Sequence, residues 1–315
     1  MKRIFYFILV AVLCVAACHK VDHIEKGGDK GEIAFTVSLP GSISTKTISD
    51  GEKALKLYYA AYTENGKMIE SLSNVSDGVV VSGKQAQVTL KLVKNVAYDI
   101  VFWAQAADCQ AFDFDWANAS MTVDYNGAAN DDYRDAFYAV CQEVIITDVP
   151  VNESVVLHRP FAQINFGAAD YQSVVDYYDQ TSVDSGMKSS LSAIKVPDTL
   201  DLLEGTVDDA SVSTVDFTLA AIPNDPRLLE VEGVEYKYLS MNYILAESAA
   251  QPAILGSITA EFVYSDGNID RTVEVANVPY LRNHRTNIIG NFFTENAIFN
   301  IVIDEKFDQP DNNIN

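Results

Sequence analysis

Histidines are the first place to look for acid–base or metal chemistry, because imidazole titrates near neutrality and ligates transition metals. This chain has four, His19, His23, His158 and His284. No two of them have the spacing of a zinc helix or a zinc finger. There is no Gly-x-Ser-x-Gly elbow, no phosphate-cradling glycine loop and no dinucleotide fingerprint. Neither catalytic residues nor a cofactor are expected, and the chain does not read as an enzyme. Oxygen donors cluster once, at Asp124-Tyr125-Asn126-Gly127 followed by Asn130, Asp131, Asp132 and Asp135. Calcium takes such donors, but the closing bidentate Glu and the spacing of a calcium loop are missing. A solvated acidic turn without metal is expected there. Trp103 and Trp116 could stack on sugar rings. Trp103 lies in an alternating segment, however, and Trp116 ends the run Phe112-Asp113-Phe114-Asp115-Trp116. Packing is the expected role for both, given the area an indole buries.

The remaining chemistry is that of four cysteines, and the N-terminal segment decides two of them. Met1-Lys2-Arg3 is cationic, Ile4 to Val12 is unbroken and apolar, and Val15-Ala16-Ala17 are small. That order is a secretory signal, with an apolar core too short for a membrane span of about 20 residues. Val15-Ala16-Ala17-Cys18 resembles a bacterial lipobox, in which the cysteine takes palmitoyl-type acyl chains and becomes the mature N-terminus. Each buried methylene contributes about 0.8 kcal/mol, so several chains make a durable anchor. Residues 1–17 are thus read as signal peptide, Cys18 as the lipidation site and 18–30 as a flexible tether to the membrane. Cys14 leaves with the signal. Cys109 and Cys141 remain, in an oxidising compartment, either as a disulfide or as two buried thiols.

The 315 residues carry a formal charge of −22. Loss of Lys2 and Arg3 with the signal leaves 20 − 44 = −24. Such a surface excludes nucleic acid as a partner, since binding it needs clustered Lys and Arg. The length suits two domains, and the seam is placed at His158-Arg159-Pro160, because Pro160 restricts the residue before it. The domains are then 31–158 and 159–308, followed by a tail at 309–315.

Period-two alternation recurs along both halves. Ile33, Phe35, Val37 and Leu39 are large and apolar, with Ala34, Thr36 and Ser38 between them. Leu55, Leu57, Tyr59 and Ala61 share one face of the next predicted strand. Val88, Leu90 and Leu92 line another, and Tyr98, Ile100, Phe102 and Ala104 a third. Ile258–Tyr264 and Ile269–Val275 flank the turn residues Ser265-Asp266-Gly267-Asn268 as a hairpin. One short helix is predicted over 170–179. Short strands punctuated by Gly, Asn, Asp and Pro predict an all-β, mainly antiparallel chain of two Greek-key β-sandwich domains with little helix.

Several phrases then align with a known group. They are the lipobox at Cys18, Asp135-Ala136-Phe137-Tyr138, and Leu157-His158-Arg159-Pro160-Phe161-Ala162-Gln163-Ile164-Asn165-Phe166-Gly167. A further one runs from Val278-Pro279-Tyr280-Leu281-Arg282-Asn283-His284-Arg285 through Thr286-Asn287-Ile288-Ile289-Gly290-Asn291. In this order the chain resembles the fimbrillin family, the type V pilus subunits and related lipoproteins of Bacteroides-type bacteria. The resemblance implies transthyretin-like sandwiches, an outer-membrane or fimbrial surface location, and a structural role with like pilin subunits as partners. It also implies a protease cut after the first strand, and a groove that another subunit fills with its own strand. Backbone hydrogen bonds would give that contact its affinity and alternate side chains its register.

Carried onto this sequence, the displaced strand is Ile33, Phe35, Val37 and Leu39, and the cut falls between Lys46 and Thr47. The donor is the segment of Phe299, Ile301 and Ile303. Arginine-specific cleavage is the family habit, yet no arginine lies between Cys18 and Arg134, so Lys46 would need a lysine-tolerant protease. Without that cut the protein stays lipidated, as an anchor, a cap or a surface lipoprotein that binds glycan or host protein. Asp198-Thr199-Leu200 fits the short acceptor for O-glycosylation in these bacteria, with Thr199 as the site.

Overall fold

Where small or polar side chains alternate with large apolar ones, a strand can turn one face to a core and the other to water. The computed structural model, which describes residues 28–40, 50–176, 186–224, 227–247, 250–264, 270–294 and 298–304, is built almost wholly from this device. The first strands are β1 (Lys30–Ser38), β2 (Lys56–Thr63), β3 (Asn74–Val80), β4 (Gln85–Val93) and β5 (Ala97–Gln105). Then come β6 (Phe112–Asp115), β7 (Ser120–Val123), β8 (Asn126–Ala128), β9 (Phe137–Ile145) and β10 (Val151–Val156). The later chain gives β11 (Phe161–Ala168), β12 (Met187–Pro197), β13 (Thr199–Asp201), β14 (Val212–Ala221) and β15 (Leu228–Val231). It ends with β16 (Val234–Leu245), β17 (Ala253–Tyr264), β18 (Asp270–Tyr280), β19 (Arg285–Asn291) and β20 (Ile298–Asp304). The fold is all-β, as its alternation predicts. Helix α1 (Tyr171–Val175) is one short turn; the rest of the predicted helix from 177 onward lies outside the described residues. Among these residues no helix is long and apolar enough to cross a membrane.

Two sheets, ordered β10-β1-β4 and β3-β2-β5-β9, enclose the first core. Its members run from Ile33 to Leu157. Two five-stranded sheets, β18-β17-β12-β14-β8 and β15-β16-β11-β19-β20, enclose the second and larger core. Leu55, expected on the buried face of β2, precedes that strand and is 52% exposed, while Leu57 and Ala61 are buried.

The larger core draws on both halves of the chain. β8 runs parallel to β14 in a sheet of the later strands, and β13 adds in return to the small sheet of β7 and β6. Met121, Val123 and Tyr125 consequently pack in the larger core with Leu191, Val215 and Phe217. β11 is buried along its whole length. Its polar members are held by an amide ladder, in which Asn165 Nδ2 donates to Asn287 Oδ1 at 2.8 Å and Tyr238 Oη donates to Asn165 Oδ1 at 2.9 Å. Pairing of this kind removes most of the desolvation cost of burying an amide.

Candidate functional site

β1 is the middle strand of its sheet. It pairs with β4 antiparallel from Lys30↔Val93 to Ser38↔Gln85, and with β10 parallel from Ile33↔Val151 to Ser38↔Val156. Its inward side chains are Ile33, Phe35 and Val37, exposed by 1%, 0% and 2%, and Leu39, one residue past its end, is 6% exposed. Phe35 meets Phe102 edge to face at 5.2 Å. On the outer face Thr36 exchanges a hydrogen bond with Gln87. The strand's end is fixed by Leu39 N donating to Lys84 O and Leu157 N donating to Ser38 O, both at 2.9 Å. Burying four such side chains stabilises the fold by up to about 6–12 kcal/mol, an upper figure because unfolded chains already bury some surface.

Among the described residues β10 pairs with β1 alone. Removing β1 would therefore strip one edge from β4 and leave β10 without a neighbour, bounding an apolar slot with hydrogen-bonding groups on both sides. Residues 41–49, with Lys46 and Thr47, lie outside the described residues, as does Cys18.

At the opposite end of the chain β20 is an edge strand, paired antiparallel to β19 from Asn291↔Ile298 to Arg285↔Asp304. Phe299 stacks on Phe292, with ring centroids 6.1 Å apart. Phe299 and Ile301 are partly buried against the larger core, Ile303 is half-buried, and Ile298 is exposed. A long apolar edge of this kind is a ready template for pairing with another chain. The turn leading to it is pinned by Asp170, whose carboxylate accepts from the backbone N–H groups of Phe292, Phe293 and Thr294 at 2.8–3.0 Å.

Gly290 lets β20 lie this close. A methyl group there would sit 2.6 Å from Phe299 Cα and against the Ile298 carbonyl. Gly290→Ala is expected to unseat β20 and leave β19 in place. Hydrogen–deuterium exchange should rise across 298–304 and stay low across 286–289; unchanged exchange in both would show that the hairpin absorbs the methyl.

The two halves are clamped where two of the family-like phrases meet. Arg159 Nε and Nη2 donate to Asp135 Oδ1 and Oδ2 at 2.6 and 2.9 Å, with both side chains buried. The guanidinium also lies 4.4 Å from the centre of the Phe137 ring. His158 completes the clamp with a backbone bridge to Tyr138. In the phrase that begins at Val278, the side chains of Arg282 and His284 are tied to backbone carbonyls. Arg282 donates to the carbonyls of Ala246 and Gly205 at 2.7 and 2.8 Å, and His284 Nδ1 lies 2.7 Å from its own turn's Arg282 carbonyl.

The other candidate residues are not brought together. Cys109 is buried beside Ala106 and Ala111, while Cys141 packs on the first core. Both are free thiols. The disulfide between them is corrected on that ground: they belong to separate apolar clusters. Burial pushes both thiols up, which keeps them protonated and unreactive near neutral pH. Trp103 is fully buried, and Trp116 is half-buried with its ring stacked on Phe114 at 4.6 Å. Thr199 is half-buried on β13, its hydroxyl 2.9 Å from Asp198 Oδ1 and 3.0 Å from Ser211 Oγ. Burial pushes the Asp198 carboxyl up, but hydrogen bonds from Ser211, Ser213 and Thr199 outweigh it and hold the group below the usual carboxylate range.

A family model described as "Family of unknown function (DUF6562)" matches residues 25–315. No curated protein matches the sequence. Solved structures do. A candidate cell adhesion protein from Bacteroides uniformis aligns with TM-score 0.47 and 12% identity over 87% of this chain and 98% of its own. A candidate polysaccharide-binding protein (DUF1812) from Bacteroides thetaiotaomicron gives 0.45 and 8%, over 88% and 99%. The tip fimbrial protein Mfa3 from Porphyromonas gingivalis gives 0.44 and 12%, over 87% and 99%.

Proposed function

Because this chain belongs to the DUF6562 family, whose function is unknown, its role has to come from its own residues, and we propose that it is an outer-membrane lipoprotein of fimbrillin type. In this reading it is a non-enzymatic pilus subunit or accessory that assembles by donor-strand exchange. The observation that carries the reading is β1, a central strand with three buried apolar side chains and Leu39 buried just after them, whose connection to β2 passes through the segment holding Lys46. The strand is the first among the described residues and is flanked by backbone on both sides, which supports reading it as a replaceable strand.

The sequence of events would be export, acylation of Cys18, cleavage between Lys46 and Thr47, release of β1, and filling of the slot by a strand from a like subunit. Phe299, Ile301 and Ile303 on β20 repeat the i, i+2, i+4 spacing of Phe35, Val37 and Leu39, which supports β20 as the donor. The proposed domains are 31–158, which houses the slot, and 159–308, which houses the donor. Thr199 is the proposed glycosylation site; its hydrogen bonds favour modification before the 198–213 segment closes over it.

A second reading is favoured by the absence of arginine between Cys18 and Arg134. Uncut, the chain would remain an anchored lipoprotein that does not polymerise. The mature N-terminus separates the two. Surface material beginning at Thr47 is expected for a polymerising subunit, and material blocked by acylated Cys18 for an anchored one. A mature chain that still begins at Met1 would sink both.

A further inference from the structure

The two ends of β1 are fastened by different chemistry. At its start, Lys94 in the turn between β4 and β5 reaches two carboxylates from separate parts of the chain. Its Nζ donates to Asp29 Oδ2 at 2.6 Å and to Asp148 Oδ1 at 2.8 Å. Asp29 immediately precedes β1, and Asp148 lies between β9 and β10. One lysine therefore joins the lead-in of β1 to the lead-in of β10, the strand that runs parallel to it. At the far end the fastenings are hydrogen bonds between uncharged groups, from Leu39 N to Lys84 O, Leu157 N to Ser38 O and Ser38 Oγ to Val155 O.

The backbone around Lys94 gathers the same segments. Lys94 N donates to Asp29 O, and Asn95 N donates to Ile146 O, both at 2.9 Å. Gly31 permits the close approach. A methyl group there would come within 3.0 Å of Ile146 Cδ1, 3.3 Å of the Thr147 carbonyl oxygen and 3.5 Å of Lys94 Cε, so the lysine stem lies beside the first residues of β1. Hydrogen bonds to Asp148 and Asp29 push the ammonium up. The Lys94 side chain is 19% exposed, whereas those of Asp29 and Asp148 are 79% and 90% exposed. Dissolved ions therefore reach the contact from the carboxylate side.

Magnitude decides what this arrangement can do. Exposed ion pairs are weak and are screened by salt. Lys94 thus adds little to the burial of Ile33, Phe35 and Val37, which is what keeps β1 seated. Its effect falls on timing, because both ion pairs must break before the strand can leave. We propose that Lys94 is a salt-sensitive staple that slows the release of β1, an inference that rests on reading β1 as a replaceable strand. In that role it sets how long the slot stays filled after the chain is cut, and ionic strength sets the strength of the staple.

The test has two arms. In the intact chain, hydrogen–deuterium exchange is followed along β1 at low salt. Lys94→Met, and separately Asp29→Asn combined with Asp148→Asn, are expected to raise exchange at 31–33 and leave 36–38 unchanged, while Lys94→Arg matches the parent. In the chain cut between Pro40 and Asp50, departure of the β1 fragment is timed in a fixed concentration of urea. Both uncharged variants should release it about two- to tenfold faster at low salt, and the parent should reach their rate in about 1 M sodium chloride. Lys188→Met, which removes an exposed lysine on β12, should leave the rate alone. The staple is overturned if release is equally fast with and without Lys94, if salt speeds the Lys94→Met chain as much as the parent, or if exchange rises evenly along β1. If the variants loosen the strand as expected but a peptide of residues 298–304 fails to fill the vacated slot, the staple stands and the assembly reading falls.

Discussion

Phe35→Ala is expected to lower folding stability by about 3–5 kcal/mol, the range for emptying a buried aromatic site. The ring is wholly buried and meets Phe102 edge to face, so nothing nearby can fill the space without leaving its own packing. Thr36→Ala on the same strand should cost under about 1 kcal/mol, because its hydroxyl pairs with Gln87 at an exposed position. Urea unfolding of the two variants checks the contrast. Since β1 is held mainly by its inward residues, Phe35→Ala should also speed release of the strand once the chain is cut between Pro40 and Asp50. Equal losses for the two variants would mean that β1 does not line the core.

Asp135→Ala is the second large effect, again about 3–5 kcal/mol, and for a different reason. It leaves the Arg159 charge buried and without its carboxylate, and a broken buried pair costs far more than an exposed one. Replacing both members, Asp135→Leu with Arg159→Leu, should recover much of the loss, because the pair's own desolvation is then removed too. The clamp ties the chain just before β9 to the chain just before β11, so the single variant should loosen the contact between the cores before either core melts. Calorimetry is expected to show one transition for the parent chain and a split one for Asp135→Ala. A single unshifted transition in that variant would deny the pair its clamping role.

How far the residues alone foretell this architecture depends on the range of the contact. β1 and β4 are legible because their own side chains alternate, and burial follows that alternation; β5 alternates only at its start, because from Ile100 onward both of its faces are buried. β11 is less so: Gln163 and Asn165 read as outward-facing, but they are buried in an amide ladder whose partners, Tyr238 and Asn287, are remote in the chain. The parallel pairing of β1 with β10 leaves no local trace either, since parallel neighbours need long crossovers and no turn announces them. Asp135 and Arg159 are both visible in family-like phrases, yet only the folded chain puts their charges within 2.6 Å. The pairing of β8 and β13 with strands from the other half of the chain is equally hidden, because three-residue strands carry almost no periodicity. The acidic run from Asp124 to Asp135 reads as a solvated turn, and in the fold Asp124 and Asp131 accept from the backbone N–H groups of Asn126 and Tyr133.

Strand replacement tests the central claim most directly. The chain is cut between Pro40 and Asp50, released from β1 in urea, and refolded with a fluorescent peptide of residues 298–304. The peptide is expected to bind one to one and restore protection from hydrogen exchange to β4 and β10, with an Ile301→Asp peptide failing to do either. If the cut chain refolds as a monomer that ignores the peptide and keeps β4 and β10 protected without it, the slot is not an assembly site.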